Sequence, residues 1–130
     1  MTANFNTFKV TFRQHILGDT ATAALIGTRF YGAQLATVFD PIFPNAVFFQ
    51  DPGNLPIATI VWDFVLNVRA YSSLHFDEAY GVFNAIMARL DSTIIGHSIV
   101  VRPITTPVEH FIEVSRLYGI YGKFKIIWLP

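Results

Sequence analysis

Cysteine is absent from the 130 residues, which removes a disulfide framework, a thiolate metal site and a Cys nucleophile while leaving the redox compartment open. Charge is scarce. Asp, Glu, Lys and Arg make up 14% of the chain, against about 25% in an average globular protein. Nine basic and nine acidic residues cancel, so no sequence-wide field draws the chain toward nucleic acid or an anionic membrane. Long apolar runs are missing too: Asp63, Asn67 and Arg69 interrupt the longest stretch, well short of the roughly 20 residues a spanning helix needs. The start, Met1-Thr2-Ala3-Asn4-Phe5, lacks the basic opening and apolar run of a secretory signal, so the cytoplasm is the expected place of synthesis and residence. The eight glycines are scattered singly, which leaves no Gly-rich phosphate loop. Neither an internal repeat of solenoid period nor a low-complexity tract is found.

What the chain has is apolar surface. Hydrophobic residues account for 52% of it, including 13 Phe, 5 Tyr and 2 Trp, so the composition is that of a folding chain. At 14.6 kDa it is expected to form one domain over residues 1–130, with about 6,900 Å² of exposed surface as a monomer. Eighteen charged side chains leave wide neutral stretches of such a surface, and a net charge of zero removes the repulsion that keeps monomers apart. Self-assembly is therefore the expectation, ahead of a monomer covered by Ser, Thr, Asn and Gln.

Phe5, Phe8, Phe12 and Ile16 recur every three or four residues, which predicts an amphipathic helix. A short strand competes, since Phe8, Val10 and Phe12 also alternate with polar neighbours. Gly18 ends this element, Asp19 is placed to cap a second helix over Ala21 to Ile26, and Gly27 closes it. From Arg29 to Pro56 the periodicity fails, and Pro41, Pro44, Pro52 and Pro56 exclude a central strand or helix. An extended loop over 32–56 is expected, with Ala46 to Gln50 as a short edge strand. The segment holds Phe30, Tyr31, Phe39, Phe43, Phe48 and Phe49. So many rings need a cover, either a neighbouring chain or the domain's own sheet.

Ala58 to Tyr71 alternates strictly, with Ala58, Ile60, Trp62, Phe64, Leu66, Val68 and Ala70 on one side, the signature of a strand with one apolar face. At about 3.3 Å per residue it would span roughly 46 Å, too long to pair internally along its whole length unless an end protrudes or it bends near Trp62-Asp63. Ser73 or His75 opens a helix with Asp77 and Glu78 in its first turn, and its apolar side reads Phe76, Tyr80, Phe83, Met87 and Leu90. Ile94 to Ile104 reads as a strand, and Glu113 to Trp128 as one or two more. The resulting class is α+β, with helices on one face of a mostly antiparallel, curved sheet.

Candidate chemistry is thin. His15, His75, His97 and His110 fall in four different elements without the close spacing of zinc hydrolases, and His110 with Glu109 and Glu113 reads as a solvated connection rather than a metal site. Gly96-His97-Ser98 resembles the start of a nucleophile elbow, but Val100 stands where the second glycine belongs. Asp77 and Glu78 diverge by about 100° on a helix. Tyr118, Tyr121 and Trp128 beside Lys123 and Lys125 could stack bases, yet two lysines make a weak funnel for nucleic acid. If the protein were a small enzyme or ligand-binding domain, Asp63, Arg69, His97 and Arg102 are the polar groups that would have to converge.

The segments Ala24-Leu25-Ile26-Gly27-Thr28-Arg29-Phe30-Tyr31, Asn54-Leu55-Pro56 and Ala70-Tyr71-Ser72-Ser73, the last running into a helix from Asp77 to Leu90, resemble in element order the tail-terminator (tail-completion) proteins of long-tailed bacteriophages and related phage-like particles. The resemblance covers nearly the whole chain. It implies a curved sheet with helices on one side, assembling as a ring, in this family a hexamer, that ends the tail tube. The implied partners are other copies of the chain, the major tail tube protein and the head connector or stopper protein, or, for a neck or head-completion protein, components one layer nearer the capsid. DNA would pass only through the lumen, with no sequence-specific contact, and no membrane is involved. The implied location is the virion tail or neck, and the host cytoplasm during assembly. The resemblance carries over no catalytic residue and implies neither cofactor nor metal. The candidate contacts between subunits or with the tube are Phe39, Phe43, Phe48, Phe49, Tyr71 and Tyr121.

Overall fold

The computed structural model describes residues 5–51, 61–90, 94–95 and 99–129. Among them are three helices, α1 (Phe5–Leu17), α2 (Thr20–Ile26) and α3 (Phe76–Leu90), and a single turn of 3₁₀ helix, Leu35–Thr37. Seven strands join them: β1 (Phe30–Tyr31), β2 (Asn45–Gln50), β3 (Trp62–Ser72), β4 (Ile94–Ile95), β5 (Ile99–Pro103), β6 (Val108–Ile112) and β7 (Leu117–Trp128). The class is α+β: one open sheet in the order β1-β2-β3-β7-β5-β4, antiparallel except for β1 against β2. β7 carries β3 along its whole length from Ser72↔Tyr118 to Trp62↔Trp128. On its other flank β6 occupies one half and β5 the other.

Period-two alternation sorts the sheet into two faces. Ala46 and Phe48 of β2, Phe64, Leu66, Val68 and Ala70 of β3, and Ile120, Phe124, Ile126 and Trp128 of β7 point toward the helices. Against them α1 lays Phe8, Phe12 and Ile16 and settles the helix-versus-strand ambiguity at the N-terminus. The Phe8 ring stands edge-on to Phe64 at 5.0 Å, and Phe12 meets Phe48 at 5.0 Å. A strand would also have kept Phe8, Phe12 and Ile16 on one face, but it would have turned Phe5, which packs beside them, away from the sheet. Each fully buried Phe contributes about 1.5–3 kcal/mol through burial alone. The capping residues act as expected: the Asp19 carboxylate accepts from the Thr22 amide at 3.1 Å and the Thr22 hydroxyl at 2.8 Å. Gly27 takes φ = 58° and donates to the Ala23 carbonyl, a left-handed stop that favours glycine.

The structure bears on five expectations. First, the short strand expected at Ala46 to Gln50 forms, as Asn45–Gln50, but it is not at the edge, because β1 pairs outside it. Arg13 donates from Nε to the Phe30 carbonyl and from Nη2 to the Thr28 carbonyl, each at 2.8 Å, which pins that two-residue strand to α1. Second, the 11 described residues of the long strand are all paired with β7; residues 58–60 and the Asn54-Leu55-Pro56 segment lie outside the described residues. Third, Ile94 to Ile104 is not one strand but two, β4 folding back on β5. Fourth, β6 begins at Val108, and Glu113 sits in the turn before β7. Fifth, α3 buries Ala79, Val82, Phe83, Ile86 and Leu90, so the stripe of large residues is only partly its packing side. Phe76, Tyr80 and Met87 lie at the margin. The reason is close approach: Phe83 sits over Gly122 of β7 so tightly that a Cβ there would come within 2.5 Å of Cζ, and small or compact neighbours in α3 permit that distance.

Candidate assembly surface

The sheet face away from the helices carries Val47 and Phe49 of β2, Asp63, Asn67, Arg69 and Tyr71 of β3, and Leu117, Tyr121, Lys123 and Lys125 of β7, as their odd register positions require. It divides into two halves. Toward the start of β3 it is polar: the Asn67 amide and Lys123 ammonium both hold the Asp51 carboxylate, the latter at 3.2 Å, and Lys125 pairs with Asp63. The Asn67 bond first, and then Lys123, draw the Asp51 carboxyl below its ordinary range. Both lysines named with the stacking rings are thus paired with carboxylates on the spot.

The other half is apolar. The loop after β1 folds over it and forms a second, smaller core of Val47, Tyr71 and Leu117, with Leu35, Phe43 and Phe49 packed at its border. Of the two covers the sequence left open for the loop aromatics, a neighbouring chain or the domain's own sheet, the fold supplies the second for most of them. Phe30 and Phe48 are wholly enclosed in the main core, their rings 4.7 Å apart. Tyr31, Phe43 and Phe49 pack on the second core. Period-two geometry is the cause, since β2 sends Phe48 to one face of the sheet and Phe49 to the other. Phe39 is the exception, at 97% exposure, presented at a loop tip where Asp40 adopts φ = 49°, a left-handed conformation that Asp tolerates better than most residues. Of the six residues singled out for contact, Phe48 and Tyr71 are therefore buried, Phe43, Phe49 and Tyr121 are half-buried, and Phe39 alone stands free.

Arg69 lies between two rings, its Cζ 4.8 Å from the centroid of Phe49 and 4.1 Å from that of Tyr121. The Tyr71 and Tyr121 hydroxyls meet at 3.3 Å, and burial first, then that hydrogen bond, pushes the Tyr121 pKa up. A pocket of about 500 Å³ opens between the loop and the β6–β7 turn, with Leu35, Phe43, Arg69, Tyr121 and Ser115 among its walls. Sequence periodicity missed this pocket, because alternation puts Arg69 and Tyr121 on one sheet face but says nothing of the loop and the β6–β7 turn that close over them.

Of the four polar groups proposed for a small enzyme, the three that are described do not converge. Asp63 pairs with Lys125, and Arg102 is Lys125's neighbour on β5. Arg69 is six residues along β3, roughly 20 Å away at about 3.3 Å per residue. His97, with Gly96 and Ser98, lies outside the described residues. No three His, Asp or Glu residues among the described ones are placed to hold a metal. His75 and Glu78 serve local structure: the His75 Nδ1 accepts from the Glu78 amide, and the Glu78 carboxylate accepts from the Ser72 hydroxyl. Among the described residues no helix is long and apolar enough to cross a membrane.

Three other features of this surface were not legible in the sequence. β6 is paired only on its β7 side among the described residues, and Val108 and Phe111 on it are exposed. Val114, in the turn that follows, is fully exposed. Leu74, at the far end of β3, is also uncovered. No protein-family model and no curated protein sequence matches the chain. The fold has a solved counterpart. A chain in the virion of the native gene transfer agent (GTA) particle superposes with a TM-score of 0.65 at 18% sequence identity, over 94% of this chain and 94% of that one. At that identity the likeness is one of fold.

Proposed function

We propose that the protein is a structural component of a phage or phage-like particle, and that it terminates the tail as a ring of identical subunits, six in the resemblance drawn from its sequence. The observation that carries this reading is the shared fold with a GTA virion chain over nearly the full length of both. Exposed apolar groups supply the physical motive for assembly: Phe39 at the loop tip, Val114 at the turn and the open β6 edge with Val108 and Phe111. An unpaired edge strand is a template for a further strand, and a cyclic ring uses two different patches on each subunit. Interfaces of this permanent kind bury upward of about 2,000 Å². The candidate contacts accordingly narrow to Phe39 and the β6 edge, with Phe43, Phe49 and Tyr121 behind them. The partners in this reading are sister subunits, the tail tube protein and the head connector.

Sedimentation and particle imaging of the purified protein, combined with growth of tail tubes in its presence, test the proposal. A ring that binds tube ends and stops their growth is the expected result. A protein that stays monomeric at micromolar concentration and leaves tube length unchanged overturns it. Binding at the head side alone would instead place the protein in the neck.

A further inference from the structure

The pocket on the outer sheet face contains an arginine that no carboxylate among the described residues pairs with directly. Arg69 forms no ion pair among the described residues, and its Nε is buried without a hydrogen-bond partner. Leaving such a donor unmet is costly, and its two flanking rings hold the guanidinium in place without satisfying its N–H groups. Next to it stands the phenol pair. Only one of the two hydroxyl protons is used between Tyr71 and Tyr121, so the other remains free to donate. Burial keeps Tyr121 in its protonated, donating form. The acids on the neighbouring segments, Asp40 and Glu113, form no ion pair with Arg69, and Asp51, which feels its charge, is held by Asn67 and Lys123 instead.

Around these donors the walls are apolar: Leu35 and Phe43 from the loop, Ile112 and Leu117 from the hairpin. A volume of about 500 Å³ lies in the ordinary range for a ligand site, about 300–1,000 Å³. Two walls come from separate segments above a floor of β3 and β7, which gives a trough through which an extended chain can run. We propose that this pocket is a docking site for a peptide segment of a partner protein that presents an Asp or Glu carboxylate beside an apolar side chain, with Arg69 and the Tyr71–Tyr121 pair taking the carboxylate and Leu35, Phe43 and Leu117 the apolar group. A guanidinium fork matches a carboxylate in geometry and charge, and charge complementarity is what selects this occupant over a purely apolar one. The site stands on the pocket's own geometry and does not require the ring.

The test uses the wild-type protein and two capped peptides, N-acetyl-Leu-Glu-leucinamide and its Leu-Gln-Leu counterpart, titrated by NMR with the Arg69 Nε–Hε signal as the reporter. The Glu peptide is expected to shift that signal together with the amides of residues 69, 71 and 121, and to bind at least about ten-fold more tightly than the Gln peptide. Arg69→Met should abolish the preference, and Tyr121→Phe, which keeps the ring beneath the guanidinium, should reduce it several-fold. Equal binding of the two peptides, binding of neither, or shifts confined to other surfaces would overturn the proposal. So would self-association through the pocket, seen as an Arg69→Met change in the protein's mass in solution with no peptide preference in the wild type. N-acetyl-leucine provides a third arm: if it outcompetes the Glu peptide, the pocket reads a chain terminus rather than an acidic side chain, and the segment proposed here is wrong.

Discussion

Phe39 and Phe48 belong to the same aromatic-rich segment, yet the fold assigns them opposite work, and a pair of substitutions separates the two roles. Phe48 is 0% exposed, with the rings of Phe30 and Phe12 at 4.7 and 5.0 Å. Truncating a buried Phe to Ala costs about 3–5 kcal/mol, from lost transfer energy and the cavity left behind. For a domain of this size that corresponds to a fall in Tm of roughly 10–20 °C, and it is a large share of a total stability of about 5–15 kcal/mol. Phe39 loses almost nothing on folding because it is still 97% exposed, so Phe39→Ser should change protomer stability by no more than about 0.5 kcal/mol. Urea unfolding followed by tryptophan fluorescence suits the comparison, since Trp62 and Trp128 face each other across the β3–β7 pair at 5.6 Å. It is run on dilute protein, so that assembly does not add to the apparent stability. Phe48→Ala is expected to lower the midpoint at unchanged slope. Phe39→Ser is expected to leave the midpoint alone and weaken self-association, read by sedimentation. A Phe48→Ala protein within about 1 kcal/mol of wild type, below the usual range for a core Phe, would refute the enclosure of Phe48. A Phe39→Ser protomer destabilised by more than about 2 kcal/mol, beyond what surface changes do, would refute the free loop tip.

Two further outcomes follow from the packing. Gly122→Ala places a Cβ 2.5 Å from the Phe83 ring, and overpacking of this kind costs about 1–3 kcal/mol; Phe83→Leu in the same chain should recover part of the loss, measured as a double-mutant cycle in urea. His15 is held below its ordinary pKa of 6.5, by burial first and then by the positive charge of Arg89, and its Nε2 has no partner. The unfolded chain therefore takes up a proton at higher pH than the folded one, so the stability contributed by neutral His15 is present above about pH 6.5 and is lost as the pH falls below it. Unfolding midpoints compared across that range should decline less steeply for His15→Gln than for the wild type. An identical slope in the two proteins would remove His15 from the account.

Local pattern was sufficient wherever one face of one element decides its fate. The Phe8-Phe12-Ile16 stripe, the Asp19 and Gly27 caps, and the alternation from Phe64 to Ala70 each place a residue by spacing alone, and the folded chain uses each of them that way. The outer face was not legible in this manner. Its pocket joins residues 34–43 to 112–117 across the sheet, and neither segment has a period that points to the other.

The amino-acid sequence by itself determined the α+β class, the helix-facing core and the shortage of charge, because hydrophobic periodicity and composition are properties of short windows. Only the tertiary structure decided which rings are spent on the chain's own interior and which remain for others. That choice depends on which face of the sheet a strand residue meets and on what the loop covers when it folds across. It put Phe48 inside, left Phe39 outside and brought Arg69, which forms no ion pair among the described residues, to the floor of a pocket.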